Sequence, residues 1–247
     1  MLTTTQLQTL VPSAFASHPK EDVSDRYQYV STTDFLERAA KLGWYPIKAN
    51  QSRSKDPQYG QHRIVLSNPN LGLGNNEYQP TLHWFNSHNR TKAAHCFLGV
   101  LRGVCDNGLY IGTMYASMKF VHLMGQRDCH TDQIERILDA WPRVEATIKR
   151  YQETPMTIDS QLEYTKMALG LRYPDRNPYT LEVEGVNRPR RYEDKADNLW
   201  CTYNRVQEKL VQGWRAWNIK AIKSLDRQDS FDRQLETLTA NFAGIAH

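Results

Sequence analysis

The sequence lacks long apolar runs and paired cysteines. No apolar run approaches the roughly 18 residues that a membrane-spanning helix needs, so we predict no membrane partner. The four cysteines are scattered without paired spacing, which favours reduced thiols in a cytoplasm over a disulfide framework. Residues 1–10 are rich in threonine and glutamine and have no basic or apolar region, so we expect no signal peptide.

Sequence motifs of common enzyme classes are also absent. The chain has no G-x-S-x-G elbow, no Walker A loop and no G-x-G-x-x-G fingerprint. Glu77 is the only acid between Asp56 and Asp106, so the predicted strands offer almost no carboxylates to a two-metal nuclease site. We therefore predict no catalytic residue and no cofactor. Whether the protein is an enzyme stays open, and a non-enzyme is favoured.

One group of histidines and cysteines is dense enough to examine as a metal site. His83, His88, His95, Cys96 and Cys105 fall within 23 residues. A zinc site needs convergent ligands, usually with close paired spacings that are missing here. We predict hydrogen-bonded or core roles and no metal. A metal-dependent nuclease acting through His83, His88 and Cys105 is kept as an alternative.

Hydrophobic periodicity divides the chain into a sheet-rich and a helical half. In the first half it predicts helices over Thr3–Leu10 and from Thr32 or Thr33 to Leu42, ended by Gly43. Ala94–Gly103 is either a strand or a buried helix turn. The predicted strands are Arg26–Val30, Trp44–Ala49, His62–Leu66, Tyr78–Phe85, Leu109–Ile111 and Lys119–Leu123.

The second half is predicted to be helical. A helix begins at Thr131 and is kinked or broken at Pro142. Further helices are predicted over Met156–Leu171, Leu199–Trp214 and Ser230–Ala243, with a proline-containing connection over Tyr173–Arg191. The expected class is α+β, a twisted and largely antiparallel sheet with a helical C-terminal half packed on it. Parts 1–125 and 126–247 are expected to form one continuous folding unit.

Basic residues cluster in three places. The net charge is only +4, but the segment from Val186 to Lys223 contains nine Lys or Arg and only four Asp or Glu. Lysine and arginine neutralise phosphates, and exposed aromatic rings stack on unpaired bases, so such segments indicate nucleic-acid binding. The predicted nucleic-acid-binding residues are Lys48, Arg53, Lys55, Arg63, Arg90, Lys92, Arg188, Arg190, Arg191 and Arg205.

Several segments together resemble a phage- and plasmid-borne family catalogued as domain of unknown function 932. The matching segments are Val11–Phe15, Ser24–Val30, Gly43–Pro46, Gln51 with Arg53, Asn86–His88, Arg102–Gly112, Arg190–Asp194 and Leu199–Gly213. This resemblance covers most of the chain and implies a mobile-element protein in a bacterial cytoplasm. The layout resembles, more loosely, phage single-strand annealing proteins. In those proteins a basic groove holds the strand and subunits form rings or filaments, which implies a homo-oligomer.

These observations favour a nucleic-acid-binding protein of a phage or plasmid. Its favoured partner is single-stranded DNA, bound or annealed in recombination or replication. The alternative is an early mobile-element factor that binds and inhibits a host defence complex, so that its basic face meets a host protein complex.

Overall fold

The computed structural model describes residues 1–23, 27–71, 78–102, 108–111, 117–120 and 130–245, with side chains left out at 118–120 and 130–133. The fold comprises two units. The first contains Met1–Gly108 and Gly112–Pro142, and the second contains Leu109–Ile111 and Arg143–His247. The boundary predicted at residue 125 lies outside the described residues.

Two helices precede the sheet of the first unit. Helix α1 spans Thr4–Leu10 and begins with a capping box between Thr3 and Gln6. Helix α2 spans Thr32–Lys41, and its N-cap is Ser31 rather than the predicted Thr32 or Thr33. The α2 helix ends near Gly43, whose φ of 83° suits a residue without a Cβ.

The sheet contains β1 (Tyr45–Gln51), β2 (His62–Ser67), β3 (Tyr78–Asn86), β4 (Ala94–Arg102), β5 (Gly108–Leu109) and β6 (Ser117–Phe120). The order is β1-β2-β3-β4-β5, with β6 also paired to β4. The pairs β1–β2, β2–β3, β3–β4 and β4–β6 are antiparallel, which confirms the predicted sheet. The ambiguous Ala94–Gly103 segment is a strand, and residues 121–123 of the last predicted strand lie outside the described part.

The strand predicted over Arg26–Val30 is wrong for the residues that the structure describes there. Tyr27 forms an isolated β-bridge, and Gln28, Tyr29 and Val30 lie in no strand. The polar groups of this segment bond to loops and side chains instead: the Asn86 side-chain amide donates to Val30 O at 2.8 Å, and the Tyr27 hydroxyl donates to Ser87 O at 3.1 Å. The alternating pattern therefore reflects a segment that crosses the end of β3.

Helix α2 covers the apolar side of the sheet. Phe35 stacks on Trp84 of β3 with ring centroids 3.9 Å apart and planes within 13°. Both rings are fully buried, as are Leu82 and Leu98 on the same face. Burial of large apolar and aromatic side chains provides the main stabilisation of this unit.

Six helices follow, and the break predicted at Pro142 is confirmed. They are α3 (His130–Leu138), α4 (Trp141–Glu153), α5 (Ile158–Arg172), α6 (Thr180–Asn187), α7 (Leu199–Gln212) and α8 (Leu225–Phe242). Pro142 occupies the first turn of α4, where its missing N–H needs no helical partner. Among the described residues, no helix has both the length and the apolar character needed to cross a bilayer.

Helix α7 is the centre of the second unit. All of its residues except Gln212 are buried. The Tyr203 hydroxyl donates to Tyr110 O at 3.0 Å, which places Leu109–Ile111 in this unit. Helix α6 corrects the expectation of an irregular connection over Tyr173–Arg191. Val183 and Val186 are buried and α6 contacts α5 and α7, so packing outweighs the neighbouring prolines.

Candidate nucleic-acid interface

Two predicted basic segments meet at one end of the sheet in the first unit. The connection between β1 and β2 carries Arg53 and Lys55, and the turn between β3 and β4 carries Arg90 and Lys92. The backbone N–H of His88 donates to Tyr59 O at 3.1 Å, which joins the two loops. Arg53, Lys55 and Arg90 are exposed, whereas Lys92 is half-buried and its Nζ lies 5.9 Å from the Phe85 ring centroid.

Acidic residues offset part of this positive charge. Lys20 approaches the same end, because its backbone N–H donates to His88 O at 2.9 Å. Its ammonium pairs with Asp56 at 2.9 Å and with Asp22 at 3.5 Å. These carboxylates raise the pKa of Lys20, with the Asp56 hydrogen bond as the main cause. The loop end therefore carries charges of both signs.

Lys48 and Arg63 occupy different environments within the sheet. Lys48 is exposed on β1. Arg63 is buried on β2, with its Nη2 3.0 Å from His83 Nδ1 and its guanidinium 5.5 Å from the Phe85 ring centroid. This position differs from the surface position that a phosphate contact needs, so Arg63 supports the fold in this conformation.

A buried hydrogen-bond network, in which each donor and acceptor can be assigned, holds the loop end of the sheet in place. Ser13 Oγ lies 2.7 Å from both Gln51 Oε1 and His62 Nδ1, and His62 Nε2 lies 2.9 Å from Thr32 Oγ1. The amide oxygen of Gln51 only accepts, so Ser13 donates to Gln51 and His62 Nδ1–H donates to Ser13. Thr32 then donates to Nε2 and itself accepts from the Trp84 indole N–H at 3.1 Å. Each bond direction is consistent with a neutral His62.

Burial reinforces this protonation state. His62 is fully buried, and desolvation together with the nearby His88 lowers its pKa to about 3. His62 is therefore neutral at physiological pH. It joins the N-terminal segment, α2, β1 and β2, and this network is structural.

The histidine and cysteine group forms no metal site among the described residues. His83 hydrogen-bonds to Arg63 and, through Nε2, to Thr81 at 3.0 Å. Within the described ranges no cluster of three or more His, Cys, Asp or Glu side chains has metal-binding geometry. Cys105 lies outside the described residues. Burial raises the pKa of the Cys96 thiol, which keeps it protonated.

The predicted arginines of the second unit have mixed environments. Arg188 is exposed on the segment that follows α6. Arg190 and Arg191 both donate to the buried carboxylate of Glu208, Arg190 at 3.1 Å and Arg191 at 2.6 and 2.9 Å. Arg205 is buried, and its Nη2 donates to Gln161 Oε1 at 3.0 Å and to Thr202 Oγ1 at 2.8 Å. Arg188 and the partly exposed Arg190 thus face solvent, whereas Arg205 supports the core.

The second unit also contains a basic cleft, which we define by its six cationic lining residues. It lies between the end of α5, the segment after α7 and the start of α8, and its volume is about 1080 Å³. No described acidic residue lines it. The six cationic residues are Arg172, Arg176, Arg215, Lys220, Lys223 and Arg227.

Most of these cations keep their charge available to a ligand. Within the described chain, Arg176 is the one cleft cation with an ion pair, to Glu182. That carboxylate, chiefly through its hydrogen bond, raises the pKa of Arg176. Arg172 donates to the backbone oxygens of Leu210 at 3.4 Å and Lys220 at 3.2 Å, so it is held in place without losing its charge.

A tight hairpin shapes the cleft. Gly213 ends α7 with a φ of 85°, and a Cβ there would lie 2.6 Å from Ala221 N. Trp214 and Ile219 then exchange backbone hydrogen bonds of 2.8 and 3.0 Å, so the chain returns toward α8. Asn218 takes the left-handed conformation within this turn, with a φ of 52°. The hairpin thereby places Lys220 and Lys223 opposite the end of α5.

Lys209 connects the basic cleft with the Arg188 segment. Its ammonium donates to the backbone oxygens of Gly185, Val186 and Arg188 at the end of α6, with the Val186 distance 2.7 Å. The same ammonium lies 3.9 Å from the ring centroid of Trp214, a cleft residue. Desolvation lowers the pKa of Lys209 to about 7.

Sequence reasoning did not identify the basic cleft. Arg172 and Lys220 are separated by 48 residues, and their proximity depends on α5 and α7 packing together. Lys220 and Lys223 contribute to the positive balance between Val186 and Lys223 but form no dense run. The absence of any acid between Glu208 and Asp226 is the signal that could have drawn attention to this segment.

Comparison with known proteins gives a family match over most of the chain. Residues 19–240 match the family described as domain of unknown function DUF932. Two relatives from Escherichia coli strain K12, UPF0380 protein YfjQ and UPF0380 protein YafZ, are each 30% identical over 216 residues. The match covers 86% of this chain and 78% of each relative. No solved structure gives a significant match.

Proposed function

Since this chain belongs to the DUF932 family, whose description assigns no activity, we propose a function from its own geometry: it binds nucleic acid, with single-stranded DNA favoured. The proposed setting is recombination or replication of a phage or plasmid, with strand annealing as the reaction served. No covalent chemistry is required of the protein for this role, because neutralising phosphates brings two strands together.

The basic cleft carries this proposal. Six cationic side chains line one concave surface that no described acid shares. A concave surface of one charge sign focuses the electrostatic potential and attracts a polyanion. Lysine and arginine that contact phosphates release condensed counterions, and this release provides most of the free energy of non-specific binding.

Two further surfaces support the proposal. Arg188 and Arg190 are exposed on the segment that follows α6, outside the cleft. In the first unit Arg53, Lys55 and Arg90 are exposed at one end of the sheet. Each surface offers cations that a phosphate backbone can contact.

Fluorescence anisotropy with a labelled oligothymidylate over a series of salt concentrations tests the proposal. Five cleft cations without an ion pair, each contacting one phosphate, give a slope of log K against log salt of roughly −3.5, since single strands contribute about −0.7 per contact. Binding with a slope of this size supports the function. Absence of binding at low salt would contradict it.

A further inference from the structure

The side chain of Tyr192 is unusually exposed for an aromatic ring. It is 80% exposed, the highest value among the large apolar and aromatic side chains of the described chain. Half of the aromatic rings of the second unit, among them Tyr151, Tyr164, Trp200 and Tyr203, are buried. An aromatic ring left in water does not gain the free energy of burial, so the exposed position of the Tyr192 ring indicates a candidate contact for a ligand.

The turn that carries Tyr192 is firmly anchored on both sides. Tyr192–Asp194 form one 3₁₀ turn. The preceding Arg191 makes two hydrogen bonds to the buried Glu208, and Asp194 is itself buried and lies 3.6 Å from Arg191. The Cys201 thiol donates to Glu193 O at 3.4 Å. The ring therefore projects from a fixed backbone, and binding a ligand there needs little further ordering of the chain.

Cations flank the ring. The ammonium of Lys195 lies 5.0 Å from the Tyr192 ring centroid. Arg188 and Arg190 precede Tyr192 by four and two residues and are both exposed. Exposed aromatic rings among lysine and arginine are the usual elements of single-strand binding, in which rings stack on bases and cations contact phosphates.

This segment is held against the basic cleft by Lys209. The Lys209 ammonium contacts Arg188 O on one side and the Trp214 ring on the other. Lys209 is buried, so these contacts fix the Tyr192 segment relative to the cleft from inside the second unit.

We propose that Tyr192 stacks on an unpaired base while Arg188 and Lys195 contact the adjoining phosphates, which makes the second unit selective for single strands. Bases of a duplex are paired and stacked on one another, so they offer no free face to this ring. This inference rests on the proposed function and adds to it the substrate class and the residue that selects it.

The test compares Tyr192→Ala with the wild type on two ligands, an oligothymidylate and a blunt-ended duplex with the same number of phosphates. Loss of one stacked base weakens single-strand binding about fivefold or more, since base–aromatic stacking contributes at least about 1 kcal/mol. Duplex binding stays within about twofold and the salt slope is unchanged, because the substitution removes no charge. Tyr192→Phe, which keeps the ring, binds the oligothymidylate like the wild type.

Leu181→Ala is the matched control. Leu181 is also highly exposed, on α6, and its loss leaves single-strand binding unchanged. Equal binding by the wild type and Tyr192→Ala overturns the inference, as expected if Tyr192 instead contacts a protein partner. So does an equal loss for single strand and duplex. If the wild type binds with a steep salt slope and Tyr192→Ala binds equally well, the proposed function stands and only the stacking role of Tyr192 fails. If the wild type binds no oligonucleotide, both the proposed function and the stacking role fail.

Discussion

Arg191 and Glu208 form a two-point ion pair in the second unit. Arg191 Nη1 lies 2.9 Å from Glu208 Oε2 and Nη2 lies 2.6 Å from Oε1, and only 3% of the Glu208 side chain is exposed. Arg190 also donates to this carboxylate. The densest basic run of the sequence is thus partly neutralised by one glutamate, which fastens the run to α7.

Glu208→Gln should destabilise the second unit, because it removes the buried carboxylate that Arg190 and Arg191 share and leaves Arg191 with Asp194 at 3.6 Å. Arg191 is partly exposed, so losing these charged hydrogen bonds costs about 1–3 kcal/mol and lowers the chemical denaturation midpoint. Glu163→Gln is the control, since Glu163 is exposed on α5. Equal stability of the two variants would show that the ion pair contributes nothing.

Lys220→Gln with Lys223→Gln should weaken oligothymidylate binding and reduce its salt dependence. Each lost phosphate contact lowers the slope by about 0.7, so the double variant loses about 1.4. The matched control removes two exposed lysines outside the basic cleft, Lys149→Gln with Lys166→Gln. If both double variants lose the same slope, the cleft is not the binding surface.

Gly213→Ala and Gly170→Ala should change stability in opposite directions. An alanine at residue 213 must adopt a φ near 85° with its Cβ against Ala221 N, which costs at least about 1 kcal/mol and disturbs the hairpin. Gly170 lies inside α5 with nothing within 4 Å of its missing Cβ, so alanine there stabilises by roughly 0.5–1 kcal/mol. Thermal unfolding measures both. Oligothymidylate binding weakens only for Gly213→Ala.

The network around His62 should make the first unit less stable in acid. The pKa of His62 is about 3 in the folded chain and 6.5 in the unfolded one, so the unfolded state binds an extra proton between these values. The free energy of unfolding therefore falls as pH drops from 6.5 toward 3. Thermal unfolding at pH 7 and pH 5 should show the decrease, and His62→Gln should show a smaller one.

An NMR titration provides a direct check of the same prediction. The His62 imidazole should keep one constant set of chemical shifts between pH 5 and 8, with the proton on Nδ1. A midpoint within this range would contradict the buried, neutral state.

The sheet and most helices were predictable because local patterns specify them. Runs such as His62–Leu66 and Tyr78–Phe85 combine β-branched and aromatic residues, and each became a strand. Helix α6 was missed because prolines surround it, while its stability comes from Val183 and Val186 packing and from Lys209 at its end. Residues 28–30 alternate like a strand but form none, and Val30 O accepts from the Asn86 side chain.

The candidate interface was harder to predict because charge in a sequence does not reveal environment. In the sequence Arg63 and Arg205 resemble surface cations. In the structure Arg63 bonds to His83, and Arg205 bonds to Gln161 and Thr202. The spacing of these residues in the sequence does not predict the buried contacts. The basic cleft joins residues from α5, the hairpin and α8. Only packing brings those three stretches together, so no contiguous motif marks them.

The burial of α7 on all sides limits how the family can diverge. Its neighbours include the arginines that pair with Glu208 and the helix end that Lys209 holds. Deleting one residue would rotate every later side chain by about 100°, so these charges would lose their partners together. We expect insertions and deletions among relatives to fall in the loops and to spare α7, which would make it the most reliable segment for aligning distant members.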